Sequence, residues 1–204
     1  SPIPIGHYVD IAPVAGAPQR VHYHDMGAGP VVIFLHGAGG GASGYSNFKG
    51  NFPEFAKAGH RCIVLDMLGF GLSSKPDIPM YDLDFYVAGV KGLVDALGLK
   101  DVTLLGNSLG GAVSLGYALA YPDEVSRLIL MAPGGVEDRR DDGPGDERES
   151  DPHRVVGVDV IELTVPRENA LRAEVVTAPA AGEEHGRHEE GAHQNVPPSA
   201  KVAP

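Results

Sequence analysis

The chain of 204 residues has no tryptophan and one cysteine, Cys62. A lone cysteine excludes an internal disulfide and fits a reducing compartment, so a cytoplasmic location is expected. Cys62 lies in the apolar run "RCIVLD", which points to burial rather than reactivity. No stretch nears the roughly 18 consecutive apolar residues that a membrane-spanning helix needs, which argues against a membrane protein. The N-terminal "SPIPIGHYVD" lacks a basic segment followed by an apolar core and does not read as a secretory signal. Positive charge is also scarce. Against 27 Asp and Glu stand 16 Lys and Arg, a formal net charge of −11, the wrong sign for a nucleic-acid partner.

Aromatic residues are missing from one whole region. All seven Tyr and six Phe lie within residues 1–136, which carry 11 acidic and 8 basic side chains. Residues 137–204 carry 16 acidic and 8 basic side chains, and only 12 of their 68 residues are Leu, Ile, Val or Phe. So little apolar surface cannot offset the entropy of ordering a chain. The division reads as a globular core over 1–136 and a largely disordered acidic tail over 137–204. Within the tail, "VVGVDVIELTV" (155–165) is the one candidate strand.

Residues 1–136 alternate between strand and helix patterns. "RVHYHD" (20–25) reads as a half-buried strand with Val21 and Tyr23 on one face. "PVVIFLHG" (30–37), "RCIVLD" (61–66), "DVTLLGN" (101–107) and "VSRLILMAP" (125–133) read as strands covered on both faces. Helices are expected around 46–58, over 83–97, where apolar residues recur at helical spacing, and over 108–122, ending near Pro122. Strand–helix–strand repeats of these lengths predict an α/β fold: a mainly parallel sheet with flanking helices.

Open parallel sheets react at the carboxyl ends of their strands, and three loops fall there. The first is Gly106-Asn107-Ser108-Leu109-Gly110, between a strand and a helix. Glycines two residues to either side permit the close backbone approach that holds a serine on a strained turn with its Oγ exposed. The second is "HGAGGGASGYSNF" (36–48). Acyl transfer needs N–H donors where charge develops on oxygen. In this architecture they come from Leu109 and, in the glycine-rich loop, most naturally from Ala38, with Gly37 and Gly39 as alternatives. His36 reads as a loop anchor rather than a catalytic base. In the third loop, "DMLGFGLSSKP" (66–76), Asp66 is expected to organise the turn.

"FLHGAGGGASGYSNF", "VLDMLGFGLSS", "LLGNSLGGA" and "LILMAPGG", in that order, resemble the α/β-hydrolase family over about residues 15–136. The chain is most similar to the meta-cleavage-product hydrolases, which cut a carbon–carbon bond in ring-opened aromatic dienoates, and related esterases share most of the pattern. The resemblance implies Ser108 as nucleophile, Asn47 and Asn107 at a small-molecule substrate, and no metal or organic cofactor. Leu68 stands where the family usually has proline, and Tyr45 where it usually has tryptophan.

A serine nucleophile needs a base and an acid to orient it. In this family they follow Ser in the order Asp or Glu, then His. After "APGG", where the resemblance would place a helical cap, the chain runs "VEDRRDDGPGDERESDPHR". The tail histidines His153, His185, His188 and His193 have no clear structural reason to stand over Ser108. "EEHGRHEEGAH" (183–193) reads as solvated charge rather than a metal site. Seven Arg against one Lys after residue 136 fit a frameshifted translation from about residue 139, with a natural acidic tail as the competing account. Two functions therefore stand: a serine hydrolase acting on a dienoate C–C bond or a carboxylic ester, or a non-catalytic fragment or binding protein with an acidic tail. A sheet ending near "LILMA" would also expose an apolar edge, through which copies of the chain would associate.

Overall fold

The computed structural model describes residues 3–132 and the backbone of 160–164 and 172–174. The strands are β1 (Gly6–Val14), β2 (Ala17–Met26), β3 (Val31–Leu35), β4 (Arg61–Leu65), β5 (Val102–Asn107), β6 (Val125–Met131), β7 (Val160–Thr164) and β8 (Arg172–Glu174). The helices are α1 (Gly44–Phe48), α2 (Phe52–Lys57), α3 (Leu83–Ala96) and α4 (Leu109–Ala120).

The apolar runs form the centre of one sheet, in the order β1-β2-β4-β3-β5-β6-β7-β8. β4, β3, β5 and β6 pair in parallel. β1 and β2 add antiparallel on one flank and β7 and β8 on the other. The sheet is therefore mixed, with its parallel part confined to the four strands that read as continuous apolar runs.

Alternate residues of the central strands feed two cores. Ile33, Leu35, Ile63, Leu65 and Leu104 pack with Phe85, Val90, Leu93 and Val94 of α3 and with Val113 and Tyr117 of α4. From the opposite face, Val32, Phe34, Cys62, Val64 and Leu105 meet Phe48 and Phe52. Burying such a side chain contributes about 1.5–3 kcal/mol, so central strands buried on both faces outweigh any local propensity. Cys62 is buried as expected, its Sγ beside the Phe52 carbonyl at 3.4 Å, and burial pushes its thiol up to about 11.

The helix expected around 46–58 is two. Ser43 caps α1, with the Ser43 Oγ accepting from Ser46 N–H and the Ser46 Oγ from Ser43 N–H. The chain then turns through Gly50, and Pro53 opens α2, where its missing N–H costs nothing. β1 was not legible in the sequence. It is an edge strand with most side chains exposed.

At the other flank, β7 covers the edge of β6, from Arg127↔Thr164 to Met131↔Val160. The expected free edge at "LILMA" is therefore paired, and the outermost strands among the described residues are β1 and β8. β7 falls inside the expected 155–165 strand, while β8 was not anticipated. The remainder of the 137–204 tail, with His153, His185, His188, His193 and the 183–193 run, lies outside the described residues. No helix among the described residues is long and apolar enough to cross a membrane.

Candidate active site

From β3 the chain crosses to β4 on one side, and from β4 it returns to β5 on the other. Such an order reversal opens a crevice at the carboxyl ends of the two inner strands. The loop after β3 begins at His36, and the turn after β5 holds Ser108. The reversal brings the first two sequence-flagged loops together.

Ser108 is exposed and has φ +52° and ψ −113°, a conformation that costs a non-glycine residue about 1–3 kcal/mol. The surroundings impose it. Ser108 N–H donates to the Met131 carbonyl at 3.0 Å, and the Ser108 carbonyl accepts from Gly111 and Ala112 N–H. The flanking glycines allow the approach: a Cβ on Gly106 would lie 2.2 Å from the Gly110 carbonyl oxygen, and one on Gly110 only 2.0 Å from that of Leu35. Leu109 opens α4, and its N–H has no hydrogen-bond partner among the described residues.

Facing the serine, Gly37 is buried, while Ala38 and Gly39 are exposed. Gly37 N–H donates to Asn47 Oδ1 at 3.4 Å, and Asn107 Nδ2 donates to the same oxygen at 3.0 Å. Gly37 N–H is thus committed elsewhere. Neither Ala38 N–H nor Gly39 N–H has a partner among the described residues, so both remain free to serve as the donor in this loop. Asn47 and Asn107, flagged separately by the sequence, form one pair.

His36 is fully buried. Its Nε2 accepts from Met67 N–H at 3.0 Å and its Nδ1 donates to the Gly37 carbonyl at 2.8 Å. Both nitrogens are engaged in anchoring, as the sequence reading expected. Burial holds its pKa below the ordinary histidine value, and burial does the same to His24. Such groups stay neutral in the native state while their unfolded counterparts take up protons. Stability is therefore fully present above about pH 6.5, the unfolded value, and falls as pH drops toward the native pKa. Denaturant titrations of the parent and His36→Asn across pH 7 to 5 check this: the variant is expected to show the shallower loss, and equal slopes would rule it out.

Asp66 organises its turn and reaches further. Its carboxylate accepts from His22 Nδ1 at 2.9 Å, Gly44 N–H at 2.8 Å and Leu72 N–H at 2.9 Å. The sequence showed the turn but not the His22 partner, 44 positions away. Among the described residues, no side chain hydrogen-bonds Ser108 Oγ, and no cluster of three His, Cys, Asp or Glu is placed to hold a metal. A cavity of about 530 Å³ lies around Lys100 and Asp101 at the amino end of β5, away from Ser108.

A strained strand–serine–helix turn at the carboxyl end of a parallel sheet, faced by a glycine-rich loop, is the elbow arrangement of hydrolase folds. Residues 30–153 match the family described as alpha/beta hydrolase fold, and the chain belongs to that family. Among curated proteins, it is 44% identical over 119 residues to a 2-hydroxy-6-oxo-6-phenylhexa-2,4-dienoate hydrolase of Comamonas testosteroni, covering 57% of this chain and 41% of that protein. It is 40% identical over 123 residues to a 2-hydroxymuconate semialdehyde hydrolase of Pseudomonas sp. (strain CF600), covering 60% and 43%. Among solved structures, the meta-cleavage product hydrolase from Pseudomonas fluorescens IP01 superposes with a TM-score of 0.57 at 36% identity, covering 63% of this chain and 46% of that one. The chain spans about two fifths of the length of these curated relatives.

Proposed function

We propose that this chain carries the nucleophile and oxyanion machinery of a serine hydrolase acting on the C–C bond of a ring-cleavage dienoate, with carboxylic esters as the second substrate class. The observation that carries the reading is the strained, exposed Ser108 next to the uncommitted Leu109 N–H. The relatives' activities support the dienoate.

In this reading Ser108 Oγ attacks a carbonyl carbon, and the carbonyl oxygen gains charge between the N–H groups of Leu109 and Ala38. Asn47 and Asn107 border the substrate. The serine proton passes to a base, and that base is none of the described histidines that anchor other contacts: His22 is tied to Asp66 and His36 to Gly37 and Met67. With no side chain bonded to Ser108 Oγ among the described residues, a non-catalytic binding role is the second reading. The lone free cysteine, Cys62, fits the reducing cytoplasm, where this reading places the protein.

The test uses the full chain with three reagents: a 2-hydroxy-6-oxodienoate, followed by loss of its chromophore, 4-nitrophenyl acetate, and a fluorophosphonate that labels activated serines. Turnover of the dienoate supports the C–C reading. Labelling without turnover identifies an activated serine whose substrate lies outside both classes. Absence of both favours the binding protein.

A further inference from the structure

Gly37 joins two peptide planes, and one side chain holds each of them. The plane between residues 36 and 37 presents the Gly37 N–H, which donates to Asn47 Oδ1 at 3.4 Å. The plane between residues 37 and 38 presents the Gly37 carbonyl, which accepts from His36 Nδ1 at 2.8 Å. No described peptide bond is cis. In a trans peptide the C=O and the following N–H point in opposite directions. Holding the Gly37 carbonyl on His36 therefore fixes the direction of the Ala38 N–H, away from His36.

The neighbours settle which atoms do this. Met67 N–H donates to His36 Nε2 at 3.0 Å, so the ring proton sits on Nδ1 and Nδ1 is the donor. Two donors, Gly37 N–H and Asn107 Nδ2, converge on one atom of Asn47. That atom must be the amide oxygen, since a flipped amide would set N–H against N–H. A glycine left unbraced would let both planes swing. Gly37 also lies against the elbow, since a Cβ there would be 3.4 Å from Ser108 Cβ.

We propose that His36 and Asn47 are positioning residues which lock the two peptide planes at Gly37 and so aim the Ala38 N–H at the oxyanion beside Ser108. The inference rests on the reading of Ser108 and Ala38 given above. It adds a role for Asn47 distinct from substrate contact: its Oδ1 is taken by protein donors, which leaves only Nδ2 for a substrate. Asn107, held by the same oxygen, ties the elbow to the loop.

Asn47→Leu keeps the side-chain size and removes the acceptor, while Asn47→Asp keeps an acceptor. Asn47 itself is exposed, so Asn47→Leu is expected to lower the melting temperature only modestly, through the Gly37 N–H left without an acceptor, and Asn47→Asp to leave it unchanged. In Asn47→Leu the Gly37 amide should exchange with solvent about tenfold faster, and fluorophosphonate labelling of Ser108 should slow by about tenfold to a hundredfold. Asn47→Asp should restore the Gly37 protection. His36→Asn, with a donor still at the δ position, should keep more of the labelling rate than His36→Ala. Unchanged Gly37 exchange in Asn47→Leu overturns the clamp, and so does faster exchange with an unchanged labelling rate. Should the parent chain resist labelling altogether, the nucleophile reading falls, and Gly37 exchange alone still decides whether the clamp exists.

Discussion

Ser108→Gly is expected to yield a protein that is more stable than its parent and inert to fluorophosphonates. The two effects share one cause. Ser108 sits at φ +52° and ψ −113°, a region natural to glycine and costly by about 1–3 kcal/mol to any residue with a Cβ. Glycine gives back about 0.5–1 kcal/mol through the greater freedom of its unfolded chain, leaving a net gain of about 1 kcal/mol. The backbone bonds from Ser108 N–H to Met131 and from Gly111 and Ala112 to the Ser108 carbonyl need no side chain, so they survive. Without Oγ there is no atom to phosphonylate, and labelling falls to background. Urea unfolding and intact-mass spectrometry read the two outcomes. A variant destabilised by more than about 1 kcal/mol would show that the strain is not stored at this residue. A variant that still takes the label would place the nucleophile elsewhere.

Gly110→Ala should have the largest effect on the fold. Its Cβ would meet the Leu35 carbonyl oxygen at 2.0 Å, the Leu35 carbonyl carbon at 2.5 Å and the His36 carbonyl oxygen at 2.8 Å. These are backbone atoms of β3 and the loop after it, so no side chain can rotate away. Either α4 withdraws from β3, opening the core around Leu35 and Val113, or the chain does not fold. A loss of about 3–5 kcal/mol is expected, within the range of severe core disruptions and a large part of an ordinary domain's stability. Gly50→Ala is the control, because its Cβ would meet nothing within 4 Å. It should change stability by no more than about 0.5 kcal/mol. Similar losses in the two variants would contradict the close approach.

Much of this was legible from residues 20–133. β3, β4, β5 and β6 announced themselves because strands covered on both faces must be apolar throughout, and α3 because its buried positions recur at helical spacing. β1 stayed hidden because an edge strand buries few side chains, so its alternation is faint. The β7 and β8 pairings were hidden for a related reason: strands at a flank need little apolar content, and β7 was visible only as a short run. The break between α1 and α2 was written in Gly50 and Pro53 but was outweighed by the phenylalanines on either side.

Within the candidate site, the sequence separated the parts and the fold joined them. Ser108, Leu109 and Ala38 were flagged by local context. The Asn47–Asn107 bond spans 60 positions, and no local pattern encodes it. The same holds for the commitment of Gly37 N–H to Asn47, which narrows three candidate loop donors to Ala38 and Gly39.

Asp66 also bears on how the molecule comes apart. One buried carboxylate receives His22 from β2, the first N–H of α1 at Gly44, and Leu72 from the turn after β4. If any of these lets go, a buried charge loses a donor, and that penalty falls on the other two. The amino-terminal hairpin, the first helix and the turn are thus bound into a single unit of local opening. A disturbance in β2 would be felt at the head of α1, the helix that carries Asn47, without any ligand to transmit it.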